Sequence, residues 1–166
     1  MRASVVVALA VGLAASGCVA FSDSGFPKAY LLEADEVPSG LRLRSLHDDG
    51  GSDAPMATNP GEVYPESVGD EFGGDIPERL WGEFFLPLRG DSYDEVGIYA
   101  ARWDAAQDAD AATRIVKDEA CGEEDFALLR DGNVLVFVWG DSEGGAYVGR
   151  VASALKAKTG TLSRLC

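Results

Sequence analysis

Histidine is almost missing from this chain: among 166 residues there is one, His47. Cations are scarce as well, with 14 Lys and Arg against 28 Asp and Glu. There are three cysteines, Cys18, Cys121 and Cys166, and no C-x-x-C pair. One histidine with no cysteine beside it excludes the usual zinc and haem-attachment patterns. A net charge of −14 repels phosphate backbones, which argues against nucleic acid as a partner. No phosphate-binding glycine loop is present. Neither "DDGGSDAPMATN" nor "DEFGGDIPERLW" has the alternating Asp ligands, central Gly and final Glu of an EF-hand. Asp48, Asp49, Asp53, Asp70, Glu71 and Asp75 are therefore expected to attract cations loosely without building a defined site, and no metal or other cofactor is expected.

What the chain does have begins at its first residues, "MRASVVVALAVGLAASGCVA". Arg2 precedes an apolar run over 5–15, followed by small residues and a cysteine, the three-part layout of a secretory signal peptide. Ala15-Ser16-Gly17-Cys18 resembles a prokaryotic lipobox, with Ala where Leu is commoner. In that reading residues 1–17 are removed and Cys18 carries lipid on its sulfur, because thioether formation needs a soft nucleophile. The alternatives are an uncleaved anchor over 3–21, marginal in length for a membrane span, or release by another peptidase. Beyond this region no segment approaches membrane-spanning length.

With Cys18 lipidated, Cys121 and Cys166 remain as an even pair in a compartment that permits disulfides. Closing that loop contributes on the order of 4 kcal/mol by chain entropy. The competing reading is two free buried thiols.

The spacing of apolar residues predicts a tether over 18–28 and a single domain over 29–166. A short helix is expected around 29–34, then a turn at Pro38-Ser39-Gly40 and a strand through Leu41 and Leu43. Residues 48–78 hold nine carboxylates, six Gly and four Pro with no Lys or Arg, and read as a mobile acidic loop. "WGEFFLPLR" and "EVGIYAARW" form a strand pair; Asp104 with Gln107 offers a capping box for a helix whose face carries Ala105, Ala109, Ala112, Val116 and Ala120. "FALLR" and "VLVFVW" flank the turn signal Asp131-Gly132, and a second helix follows from about 144 to 158, ended by Gly160. The expected fold is α+β: a mainly antiparallel sheet in strand-strand-helix-strand-strand-helix order, with the helices packed on one face. Residues 134–139 are apolar on both sides, and 30–46 is the segment expected to cover the second side.

The runs "LLEADEVPSG", "VGIYAARWDAAQDADAA", "LLRDGNVLVFVWG" and "VGRVASALKAKTG" together resemble a broad group of prokaryotic membrane lipoproteins. These pair an early LL-x-x-D-x-x-P-x-G segment with a strand-helix join, an R-x-G-N-V-x-V hairpin and a final helix rich in Ala and Lys. The resemblance implies an extracytoplasmic α+β domain on the cell membrane, and no catalytic residue comes with it.

Two constellations invite chemistry. Gly140-Asp141-Ser142-Glu143-Gly144 satisfies the G-x-S-x-G of a nucleophile elbow, but that fold needs a histidine after the serine and His47 precedes it. Asp141 or Ser142 is instead expected to cap the following helix. An extracytoplasmic serine hydrolase using Ser142 stays as the alternative to the favoured reading, a non-enzymatic binding or scaffolding domain. The partner would be an envelope protein or a small molecule; the chain is short for the two-lobed binding subunit of a transporter. Trp81, Trp103, Trp139, Phe84, Phe85, Tyr99 and Phe137 are either core or the lining of a groove on the sheet.

Overall fold

Residues 134–140, VLVFVWG, place Val134, Val136 and Val138 on one side of an extended chain and Leu135, Phe137 and Trp139 on the other. Neither side is suited to water, so such a strand belongs inside a sheet with both faces covered. The structure is a computed structural model describing residues 26–44, 58–64, 76–89 and 94–166, and it puts this strand at the centre.

In chain order the elements are β1 (Leu41–Leu43), β2 (Gly61–Val63), β3 (Arg79–Pro87), β4 (Val96–Arg102), α1 (Ala106–Ala120), β5 (Phe126–Asp131), β6 (Val134–Gly140), α2 (Gly145–Thr159) and β7 (Ser163–Arg164). The seven strands form one sheet in the order β1-β3-β4-β6-β5-β7, with β2 also on β3, and every pairing is antiparallel. The α+β class with an antiparallel sheet is therefore as the sequence suggests. Placing both helices on one face is not. Ala109, Ala112 and Val116 of α1 pack with Leu128, Leu135 and Phe137, whereas Val148, Val151, Ala152 and Leu155 of α2 pack with Val134, Val136 and Val138. One helix cannot bury both sides of a doubly apolar strand, so the two helices divide them.

The segment before β1 also differs from its expected form. Only Lys28–Tyr30 makes a 3₁₀ turn; Leu31 is extended (φ −119°, ψ 159°), so no helix spans 29–34. The extended backbone lets Leu31 and Leu32 both enter the core, where with Tyr30 and Leu41 they share the α2 face, leaving the opposite side to α1. Phe26 packs against the same cluster, beneath the guanidinium groups of Arg79 and Arg102 at 5.5 and 5.3 Å from its ring centre. The folded domain thus begins within the stretch expected to be tether.

Part of the acidic segment 48–78 is likewise structured. β1 and β2 both lie along β3, Leu41 opposite Pro87 and Val63 opposite Leu80. Between them Asn59 imitates a strand residue: its Nδ2 donates to the carbonyls of Arg44 and Phe84, each at 2.8 Å, and its Oδ1 accepts from the Phe84 N–H at 2.9 Å. A side-chain amide has the donor and acceptor of a peptide group, so it continues the ladder across the break.

The capping box expected at Asp104 and Gln107 does not form. α1 starts after Ala105 with no side-chain cap, and its first turn is tied to the sheet by Arg130, which pairs with Asp110 and donates to the Ala106 carbonyl at 3.2 Å. The β5–β6 hairpin turns on Gly132 and Asn133; Gly132 has φ +58°, where a side chain is strained. Asn133 then bonds the Trp103 carbonyl through its side chain. Gly160 ends α2 in the left-handed region, donating to the Lys156 carbonyl.

Cys121, after α1, and Cys166 lie with Cα atoms 5.6 Å apart, joined as a disulfide across 45 residues. The bond fastens the chain after the two-residue edge strand β7 to the end of α1. Replacing both cysteines by alanine is expected to lower unfolding free energy by about 2–4 kcal/mol, measured by urea denaturation of the two proteins.

Candidate functional site

A cavity of about 780 Å³ opens on the α2 side of the sheet, at the β1–β3 end that α2 does not reach. Its wall is mostly aliphatic: Leu31, Leu32, Val37, Leu41 and Leu43, with the Trp81 ring beside them. The size falls within the roughly 300–1,000 Å³ of small-molecule sites, and the apolar lining with few polar groups is their common make-up.

The polar groups are specific. Glu83 sits on β3 between Trp81 and Phe85 on the same face and is 1% exposed. Its Oε2 accepts the Leu32 N–H at 2.7 Å, tying the cavity wall to the sheet. Burial pushes its carboxyl up to about 7, against the lowering pull of the Leu32 N–H and the Lys158 ammonium, while Glu36 adds to the rise. The Trp81 Nε1 is buried with no hydrogen-bond partner among the described residues, as is that of Trp139 on the other face. Such a donor costs free energy until an acceptor meets it.

The wall is stapled to its surroundings at four points. The Tyr30 hydroxyl donates to Asp131 at 3.1 Å, and its own titration is raised by burial and by Asp131. Leu32 meets Glu83 as above. Lys158 pairs with Glu36 at 2.6 Å, and that bond, with the Glu33 N–H, holds the Glu36 carboxyl below its usual range. Arg150 donates to the Ser39 carbonyl at 2.7 Å. These contacts give the LL-x-x-D-x-x-P-x-G stretch a physical meaning: its leucines are core, and its polar neighbours fix it over β3 and α2.

The Gly140–Gly144 stretch is a strand-to-helix turn in which a short 3₁₀ segment, Ser142–Gly144, leads into α2. Asp141 makes no side-chain cap bond at the 3₁₀ turn, and the residue before α2 is Gly144, which has no side chain to make one. Instead Asp94, from the chain entering β4, accepts the Glu143 N–H at 3.3 Å. The glycines have a packing cause. A Cβ at Gly144 would lie 2.2 Å from the Glu95 carbonyl oxygen, and one at Gly140 would lie 2.6 Å from the Gly144 backbone. Close backbone approach therefore gives both glycines of the G-x-S-x-G spacing a packing cause, while the Ser142 side chain lies outside the described residues.

The aromatic residues do not form one groove, because the sheet separates them. Phe84, Tyr99, Trp103, Phe137 and Trp139 belong to the α1 side, with Phe84 edge-on to Tyr99 at 5.6 Å and to Trp139 at 5.9 Å. Trp81 and Phe85 belong to the α2 side, and of the seven only Trp81 lines the cavity. Glu83 was the residue the pattern concealed; a carboxyl two positions from both Trp81 and Phe85 in a strand is its signal. Cys18, His47 and the carboxylates Asp48, Asp49, Asp53, Asp70, Glu71 and Asp75 lie outside the described residues. Among the described residues no three His, Cys, Asp or Glu converge to hold a metal ion, and no helix is long and apolar enough to cross a membrane.

No protein-family model matches this chain, and no curated protein or solved structure is significantly similar to it.

Two outcomes follow from this geometry. Gly144→Ala is expected to cost about 1–3 kcal/mol, since backbone rather than a flexible side chain must give way; urea denaturation measures it. Glu83 sets a pH dependence. Its folded value of about 7 exceeds the ordinary 4.5, so folding takes up a proton between the two, and stability falls as pH rises through that window. Glu83→Gln keeps the acceptor for Leu32 and removes the proton uptake. Compared with the variant, the parent is expected to lose on the order of 3 kcal/mol from about pH 4 to about pH 8, read from denaturation curves at both ends.

Proposed function

We propose that this chain is a prokaryotic lipoprotein, held on the extracytoplasmic side of the cell membrane by lipid on Cys18, whose folded domain binds a small apolar molecule and performs no catalysis. The observation that carries the binding reading is the cavity: an apolar space of about 780 Å³ walled by a segment pinned at several points, with a buried carboxyl at its inner side. A pre-formed hollow with few polar groups suits binding, because the site need not be ordered when the ligand arrives. The anchoring reading draws support from the Arg2, apolar run and Ala15-Ser16-Gly17-Cys18 order, and from the disulfide pair that an oxidising compartment permits.

The binding test uses N-phenyl-1-naphthylamine, an uncharged fluorophore that brightens in apolar surroundings. The mature protein is expected to bind it saturably, one per chain, and Ala34→Trp to abolish the signal. Ala34 lines the cavity yet is exposed, so the indole fills space without disturbing the core. Absence of saturable binding, or binding equal in the variant, contradicts the proposal. The anchor is checked by intact mass from the native membrane: a mass of residues 18–166 plus lipid is expected, and an unlipidated chain refutes it.

A further inference from the structure

Resting on the binding reading above, we infer that the cavity takes the unbranched hydrocarbon chain of a membrane-derived amphiphile, tail inward, with its polar head left at the rim.

The lining separates by exposure into two zones. Leu31, Leu32, Leu41 and Glu83 are buried, whereas Lys28, Glu33, Ala34, Arg42 and Leu43 are exposed. The inner zone is aliphatic. Its one ionisable group is Glu83, already engaged by the Leu32 N–H, and burial disfavours its charge. An ionic head placed there would lose its hydration without a counter-charge, so the inner end selects for hydrocarbon. The outer zone carries both signs, Lys28 beside Glu33 at 3.2 Å with Arg42 also in the lining, and therefore accepts a hydrated head without dictating its charge. Leu43, 41% exposed, extends the apolar surface outward from the mouth, where the upper part of a chain would lie.

Position supplies the source. The wall begins at Pro27 and Lys28, nine and ten residues after Cys18. Even fully extended, nine residues span only about 30 Å. A lipid on Cys18 thus keeps the mouth of the cavity close to the bilayer, where acyl chains are the most abundant apolar molecules. Phe26, under Arg79 and Arg102, packs on the same face as the cavity.

The test is displacement of N-phenyl-1-naphthylamine from the mature protein by linear saturated fatty acids, from hexanoate to hexadecanoate, each below its micelle concentration. Adamantane-1-carboxylate serves as a compact acid of comparable carbon number to undecanoate. Affinity is expected to rise about fourfold per added methylene until the cavity is filled, then level off. Undecanoate is expected to displace the fluorophore at much lower concentration than the adamantane acid, and Ala34→Trp to lose both fluorophore and fatty acid. An affinity independent of chain length, or adamantane-1-carboxylate equal to undecanoate, overturns the acyl-chain inference while leaving a binding cavity in place. Failure of the fluorophore itself to bind overturns the cavity as a site, and the inference with it.

Discussion

The fold is governed by the burial of its central strands on both sides. β4 and β6 carry apolar side chains above and below the sheet, and exposing either face would leave a row of them in water. One helix of 15 residues is about 22 Å long and covers one face over two or three strands. Two helices on opposite sides are the least that suffices, and the chain supplies each after a hairpin. The disulfide then closes the α1 side, where the edge strand β7 is too short to hold itself.

The cavity is a consequence of the same division. α2 rests mainly on β6 and β5 and contributes no residue to the cavity lining, so that end of its face is roofed by the irregular segment of residues 26–41. Irregular backbone packs less completely than a helix, and it needs partners for its own N–H groups. Glu83 provides one, for Leu32. A buried carboxyl is a costly means of satisfying one amide, since a serine or asparagine would do so without a charge to neutralise. It stands beside a Trp81 N–H that has no partner among the described residues. Lys158, Arg150 and Asp131 hold the same segment from α2 and from β5.

Much of the sheet was legible because its signals are local. Alternation in 41–43, the Asp-Gly pair before β6 and the Ala, Val and Leu spacing of the helices each depend on neighbours within a few residues. The misreadings share a different cause: contacts between residues far apart in the chain. Asp104 is not the cap because α1 begins one residue later, with Ala105 at the N-cap position, and Arg130 from the neighbouring hairpin holds the first turn through the Ala106 carbonyl. The helix expected over 29–34 stops at Tyr30, where Leu31 turns extended and Leu32 meets Glu83, 51 residues away. Asn59 joins the sheet through its side chain, which no periodicity records. The glycines of 140–144 answer to close backbone approach, Gly144 against Glu95 and Gly140 against Gly144. The cavity was legible only in its parts: its leucines fell in an expected short helix and strand, the aromatic residues read as a single set, and Glu83 as one more strand residue.

The pinning of residues 31–37 to the sheet by Glu83 is the claim on which the cavity depends, and hydrogen exchange at the Leu32 amide tests it most directly. Leu32 lies in no helix or strand, so its N–H owes any protection to Glu83 alone. Exchange followed by NMR is predicted to show Leu32 protected to an extent comparable with the amides of β4 and β6, and to lose that protection in Glu83→Ala while those strands keep theirs. A Leu32 amide that exchanges as fast as exposed loop amides in the parent protein would contradict the account: the inner wall would then be free of β3, and the inner end of the cavity would have no fixed shape in which to hold a ligand.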